Sequence, residues 1–328
     1  MANLKDVLKR LNKNKKEEDQ SRMVLDQEEG FYKKTTTSTG SPYLDMLTNG
    51  GFTQGGYNSI IADGGTGKTS LALMAIREEQ KKTGRLAVYY DGEGTLDDSY
   101  IDRMGADKSK LIIERGRNLE EMLDNLEAFS TADDVGIIII DSIPIFVATS
   151  VENKSAGENS MAAEARRYTQ RMPIIEANCL ARRITLIGLT SFKKDPGAMG
   201  DPRYLSRGNW QLTMGNLMLS LTKKDIIKDS NKDEIGHKLD VRILKSKIAP
   251  YDKKRVYNTN FYYDYGFNEY DEYVDVMVAN GIIMQGGAWY SFPNKDAEEV
   301  KFQGKEKVIE YLKENVSNFE YLKNLLND

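Results

Sequence analysis

The chain has 328 residues, 40% of them hydrophobic, with 46 basic against 50 acidic side chains and a formal charge of −4. That size and apolar content support a main domain with one or two small appendages, and the charge balance excludes a polycation, so any nucleic-acid site must be a local patch. A single cysteine excludes an internal disulfide framework and fits a reducing compartment. The first residues are charged, and no apolar run approaches the ~18 residues of a membrane span. The expectation is a soluble, unsecreted protein of a reducing cytoplasm, with no membrane partner.

From the amino end, Leu4, Val7, Leu8 and Leu11 recur at helical spacing and give way to a wholly polar run over residues 12–20. A helix of two or three turns is marginal alone, so this stripe needs cover from its own core or from a neighbouring copy of the chain. From about residue 55, short apolar strands alternate with amphipathic helices, and strands are expected at 59–62, 86–90, 111–113, 136–140, 185–189, 217–221 and 241–244. The second, fourth and fifth are nearly continuous apolar runs, as strands covered on both faces should be. An α/β core with a mostly parallel sheet follows. Cys179 reads as a buried thiol on a helix, and residues 223–238, which include the only histidine, His237, read as a charged hairpin turn. Residues 287–292 read as a short strand and 298–326 as two helices, together a small C-terminal domain.

Residues 59–70 carry the chemistry: an apolar strand runs into Asp63-Gly64-Gly65-Thr66-Gly67-Lys68-Thr69-Ser70, which opens a helix. Glycines let backbone N–H groups turn inward on the phosphates of a nucleotide, the helix start adds its positive dipole end, Lys68 reaches the phosphates and the Thr69 hydroxyl faces Mg²⁺. The usual pattern opens with glycine, whereas position 62 is Ala62. A glycine-rich turn beside a lysine is the plainer alternative, but strand and helix flank the motif as its mechanism requires. Asp141 ends the run Gly136-Ile137-Ile138-Ile139-Ile140, which puts a carboxylate at the carboxyl end of a buried strand where it can hold Mg²⁺ through water. Glu93 lies just past the strand that follows the phosphate-loop helix and is the candidate for polarising an attacking water, with Asp91 competing for that role.

Around this centre, Ser38-Thr39-Gly40-Ser41-Pro42-Tyr43-Leu44-Asp45 and Asp91-Gly92-Glu93-Gly94-Thr95-Leu96-Asp97-Asp98-Ser99-Tyr100 resemble the corresponding segments of RecA-type recombinases. So do Lys245-Ser246-Lys247-Ile248-Ala249-Pro250, Gly287-Ala288-Trp289-Tyr290-Ser291 and Gln303-Gly304-Lys305, in the family's order and across nearly the whole chain. The compact size and the lack of an acidic tail suggest a bacterial-virus version. The resemblance implies an N-terminal polymerisation helix and tether (1–32), an ATPase core with two DNA loops (33–268) and a small C-terminal α+β domain (269–328). It also implies Glu93 as the catalytic glutamate, Asp97 and Tyr100 beside the adenine of ATP, and Lys245 and Lys247 reaching ATP held by the next subunit. The stripe of Leu4, Val7, Leu8 and Leu11 then meets a neighbouring copy. Partners would be single-stranded DNA, homologous duplex and loading factors.

Two segments resemble the family's DNA loops. Residues 151–160 lead into a helix carrying Arg166, Arg167, Thr169 and Arg171, of which Arg166 and Thr169 match family residues near DNA. Residues 192–209 are too long and polar for a simple connector and hold Lys193, Lys194, Arg203, Arg207, Gly208 and Asn209. Basic side chains there neutralise phosphates and glycines admit backbone amides to them, while Tyr204 and Trp210 either lie against bases or belong to the core. Two departures matter: Thr190-Ser191 replaces a polar pair that begins with Asn in many members, and Arg207 stands where glycine is usual. The implied activity is an ATP-dependent recombinase with DNA-stimulated hydrolysis at subunit interfaces, serving recombination and repair. The alternatives are a mediator or structural filament that uses ATP only for assembly, and a ring helicase or motor on the same core.

Overall fold

The computed structural model describes residues 9–14, 34–149, 159–194, 203–206, 210–253 and 255–326, with backbone alone at 159–163, 194 and 203. It divides into residues 1–35 and 36–328. In the first unit residues 9–12 are helical and Leu11 is exposed, while Leu4, Val7 and Leu8 lie outside the described residues.

The second unit opens with β1 (Thr36–Thr37), α1 (Pro42–Thr48) and β2 (Phe52–Thr53), β1 and β2 pairing antiparallel. Ser41 starts α1 by accepting the Leu44 N–H, with proline at the first turn where no donor is needed. Then follow β3 (Tyr57–Ile61), α2 (Lys68–Thr83), β4 (Leu86–Asp91), α3 (Asp98–Met104), β5 (Leu111–Glu114), α4 (Leu119–Ser130), β6 (Val135–Asp141), α5 (Asn159–Arg182) and β7 (Thr185–Thr190). A two-stranded ribbon of β8 (Phe192–Lys194) and β9 (Arg203–Leu205) leads to α6 (Trp210–Met214), β10 (Leu217–Lys228), β11 (Glu234–Ser246) and β12 (Tyr257–Tyr262).

One eight-stranded sheet runs in the order β12-β11-β10-β3-β7-β6-β4-β5, parallel from β10 to β5 and antiparallel at β11 and β12. All seven expected strands are present in it. Ile137 to Ile140 are fully buried because alternate members face separate apolar clusters on the two sides of the sheet. Each such side chain contributes about 2 kcal/mol over an exposed one. Cys179 is buried as expected, and burial pushes its thiol up to about 12.

Two expectations are corrected. Residues 223–238 are not a turn but mostly the arms of the β10–β11 hairpin, and reversal is confined to 229–233, where the Asp229 carboxylate accepts the Asn231 and Asp233 N–H groups. Charged pairs such as Lys224 with Asp240 and Lys238 with Asp225 gave those arms a loop-like composition. The region read as two helices begins instead with β15 (Glu299–Gln303), whose alternation of Val300 and Phe302 with charged residues has period two. It completes an antiparallel sheet with β13 (Met284–Gly286) and β14 (Trp289–Pro293), packed on α7 (Glu269–Ala279), α8 (Lys305–Glu314) and α9 (Val316–Asn324) around Val274, Met277, Phe292, Leu312 and Phe319.

Glu272 of α7 fastens this small domain to the core. Buried, it accepts from the Ser41 and Thr259 hydroxyls at 2.7 Å each. Burial raises its pKa from 4.5 to about 7. The folded chain therefore holds this proton more tightly than the unfolded one, so the stability it contributes is full below pH 4.5 and is lost as pH rises through 7. The difference amounts to roughly 3 kcal/mol. In urea titrations at pH 5.5 and 8, Glu272→Gln is expected to lose most of this slope relative to the unaltered protein. Parallel pH dependences in the two proteins would remove the assignment.

Candidate nucleotide site and its surroundings

Parallel strands gather their carboxyl ends at one edge, and the sequence places polar residues there. Ile61 of β3 lies in register with Thr190 of β7, and Asp91 of β4 with Asp141 of β6. The chain leaves β3 through Ala62, whose N–H bonds the Thr190 carbonyl at 3.0 Å, and enters the glycine loop. Gly65 and Gly67 have φ of +69° and +101°, a region costly for other residues, and Gly67 is the N-cap of α2. A Cβ on Gly64 or Gly65 would project into open space, so the loop presents bare backbone outward.

Lys68 Nζ donates to the Ala62 and Asp63 carbonyls at 2.9 and 3.0 Å, holding the ammonium across the mouth of the loop. Its pKa is lowered by burial, against the opposing pull of Asp141, Glu93 and Asp63. Thr69 Oγ1 donates to Asp141 Oδ2 at 2.9 Å, and the buried Tyr89 hydroxyl donates to the same oxygen at 2.5 Å. Burial raises the Asp141 pKa, while those two hydrogen bonds lower it. Ser142, the next residue, donates to Glu93 Oε1 at 2.8 Å and fixes that exposed carboxylate beside the strand end.

Asp91, the competing acid, is turned inward. Its Oδ1 accepts the Gly94 and Thr95 N–H groups at 2.8 and 3.1 Å, so it closes the loop that carries Glu93. Asp97 caps α3 by accepting the Tyr100 N–H at 2.8 Å, and the Tyr100 hydroxyl meets Ser70 Oγ at 2.5 Å. The whole set from Asp63 to Ser70, with Glu93, Asp97, Tyr100 and Asp141, is thus brought together. A triphosphate with Mg²⁺ fits it: bare amides and an ammonium suit the phosphates, and a hydroxyl paired with one carboxylate suits a cation that keeps phosphate and water ligands. Among the described residues no cluster of three metal-binding side chains exists, as such a cation requires none.

Lys245 and Lys247 sit at and just past the end of β11. Lys245 Nζ donates to the Leu212 and Thr213 carbonyls at 2.6 and 3.0 Å, and Lys247 Nζ to the Met214 carbonyl at 3.3 Å, so both cap the carboxyl end of α6. Trp210, at the start of α6, is core: it stacks on Tyr168 of α5 with ring centres 4.9 Å apart and tilts against Tyr57. Tyr204 is exposed.

Arg166, Thr169 and Lys193 are exposed. Arg167 instead pairs with Glu120, and Arg171 with Asp124 and Glu127, so these two bind α5 to α4. Arg207, Gly208, Asn209 and residues 151–158 lie outside the described residues, as does the side chain of Arg203.

His237, expected in a turn, is buried in β11 with its Nε2 3.3 Å from the Thr66 carbonyl of the glycine loop. The signal that finds it is the alternation His237, Leu239, Val241, Ile243 on one strand face.

Glycine loop, strand-end acids and parallel sheet define a P-loop NTPase core joined to a small α+β domain. Family profiles make the assignment specific: the RecA N-terminal domain matches residues 2–268 and the RecA C-terminal domain residues 272–328. The chain belongs to the RecA family. It is similar to the Protein RecA of Mycoplasma mycoides subsp. mycoides SC, 30% identical over 293 residues, covering 88% of this chain and 82% of that protein. It is also similar to the Protein RecA of Staphylococcus aureus strain JH9, 30% identical over 283 residues, covering 86% and 79%. No helix among the described residues is long and apolar enough to cross a membrane.

Proposed function

We propose that the chain is an ATP-dependent recombinase that assembles on single-stranded DNA, pairs it with homologous duplex and hydrolyses ATP between adjoining copies. The observation that carries this reading is the Ser142–Glu93 hydrogen bond, which fixes an exposed carboxylate next to the Thr69–Asp141 pair. Backbone N–H groups from Asp63 to Ser70 and the Lys68 ammonium hold the phosphates, Thr69 and Asp141 orient the cation, and Asp97 and Tyr100 flank the base. Glu93 takes the proton of the attacking water. ATP with Mg²⁺ supplies the bond that is broken and the charge that stabilises the departing phosphate.

Lys245 and Lys247 serve the neighbour's nucleotide, and Arg166, Thr169, Lys193, Arg203, Arg207, Gly208 and Asn209 contact DNA. Residues 1–32, through Leu4, Val7, Leu8 and Leu11, join copies into a helical filament, residues 33–268 form the ATPase unit and 269–328 the C-terminal one. ATP turnover measured with and without single-stranded DNA tests the reading, and turnover indifferent to DNA overturns it. Lys68→Ala is expected to weaken ATP binding by about 10²-fold, since it removes a desolvated charge from the phosphates. Equilibrium titration with a fluorescent ATP analogue measures it.

A second reading, a mediator that uses ATP for assembly alone, is favoured by one observation. The Thr190 side chain is buried, its hydroxyl has no partner among the described residues, and it is shorter than the amide that opens this pair in many members of the family. Strand exchange on long homologous substrates separates the two readings.

A further inference from the structure

We propose that His237 is a positioning residue of the phosphate cradle, holding the Thr66–Gly67 peptide in the orientation that aims its N–H at the phosphates. This rests on the nucleotide-site reading above.

The Thr66 carbonyl can only accept, so the bond at 3.3 Å requires the proton on His237 Nε2. In a trans peptide the C=O and the following N–H point in opposite directions. A carbonyl held down toward β11 therefore turns the Gly67 N–H up into the loop. Without that hold, a glycine peptide at φ +101° has alternative orientations at little cost.

The surroundings fix the imidazole. His237 pairs across the strands with Phe261, with ring centres 5.3 Å apart, and Tyr263 packs 5.7 Å away. Phe261 in turn lies directly beneath Gly67, where a Cβ would meet its ring at 3.1 Å. The glycine loop thus rests on a two-ring floor supplied by the sheet's antiparallel edge. Nδ1 is buried with no partner among the described residues, which suits a bare lone pair better than an N–H. Burial and the Lys223 ammonium, which donates to the Tyr263 hydroxyl at 3.2 Å, keep the ring neutral.

The test compares His237→Gln with His237→Met, side chains of similar reach that differ in whether an N–H faces Thr66. In the full chain, the Met variant is expected to bind a fluorescent adenine nucleotide roughly three- to tenfold more weakly, the worth of one hydrogen bond. Amide exchange at Thr66–Lys68 without nucleotide should also accelerate. The Gln variant should stay within about twofold of the unaltered protein in affinity, with melting temperatures of the two variants alike. Equal affinities and equal exchange in the two variants overturn the proposal, as does a Gln variant as weak as the Met variant. Lys68→Ala in the same titration separates the failures. If the unaltered chain binds no adenine nucleotide, the site reading and this proposal fall together. If it binds, Lys68→Ala binds about 10²-fold more weakly, and the Met variant matches the unaltered chain, only the role of His237 is lost.

Discussion

Glu93→Gln is expected to leave ATP binding and assembly on single-stranded DNA intact while slowing turnover by about 10²- to 10⁴-fold, the range for loss of a general base. The expectation rests on how the structure divides labour between neighbouring acids. Asp91 is consumed by backbone N–H groups and Asp141 by two hydroxyls, whereas Glu93 is exposed and held by a single hydroxyl, from Ser142. Glutamine keeps the length and can still accept from Ser142, so the change removes basicity rather than shape. Steady-state phosphate release alongside a DNA-binding assay gives the answer. A variant that hydrolyses ATP within about threefold of the unaltered chain would take Glu93 out of the chemistry, and the base would have to be sought elsewhere at the strand ends.

Replacing Lys245 and Lys247 together by alanine is expected to lower DNA-stimulated turnover by at least about 10²-fold, the scale for losing cationic stabilisation of a phosphoryl transition state, while a lone chain still binds nucleotide. In the single chain both ammonium groups cap α6, so the double variant also loses a local tether. A cap alone is worth about 1 kcal/mol or less and would appear as lower stability with normal turnover in the assembled state. Co-assembly discriminates further. The double variant retains a working cradle and a Lys68→Ala chain retains working lysines, so a mixture should recover activity that neither has alone. A mixture no more active than its separate components would mean that each chain completes its own site.

Much of this architecture was legible from residue patterns. The strands with unbroken apolar runs, such as Gly136 to Ile140, had no competing periodicity, and the glycine loop announced itself because its mechanism demands a strand before it and a helix after it. What escaped was wherever tertiary contact overrode local composition. The hairpin arms at 223–238 look solvated because cross-strand ion pairs supply their charge, and the same disguise hid the burial of His237. Residues 299–303 carry only two apolar side chains, too few to separate a strand from a helix without the sheet they complete. The choice between Asp91 and Glu93 could not be read from spacing, since it depends on which carboxylate the loop folds around. The capping of α6 by Lys245 and Lys247 was equally out of reach, because it joins residues more than thirty positions apart.

The stack of Trp210 on Tyr168 joins the exit of residues 192–209 to the helix that follows residues 151–158. The chain's other tryptophan, Trp289, is 44% exposed and lies under the Lys301 ammonium, 5.3 Å from its ring centre. The surroundings of the two indoles differ in polarity, so a bluer emission is expected from Trp210 at the loop junction and a redder one from Trp289 on the C-terminal sheet, a built-in optical gauge.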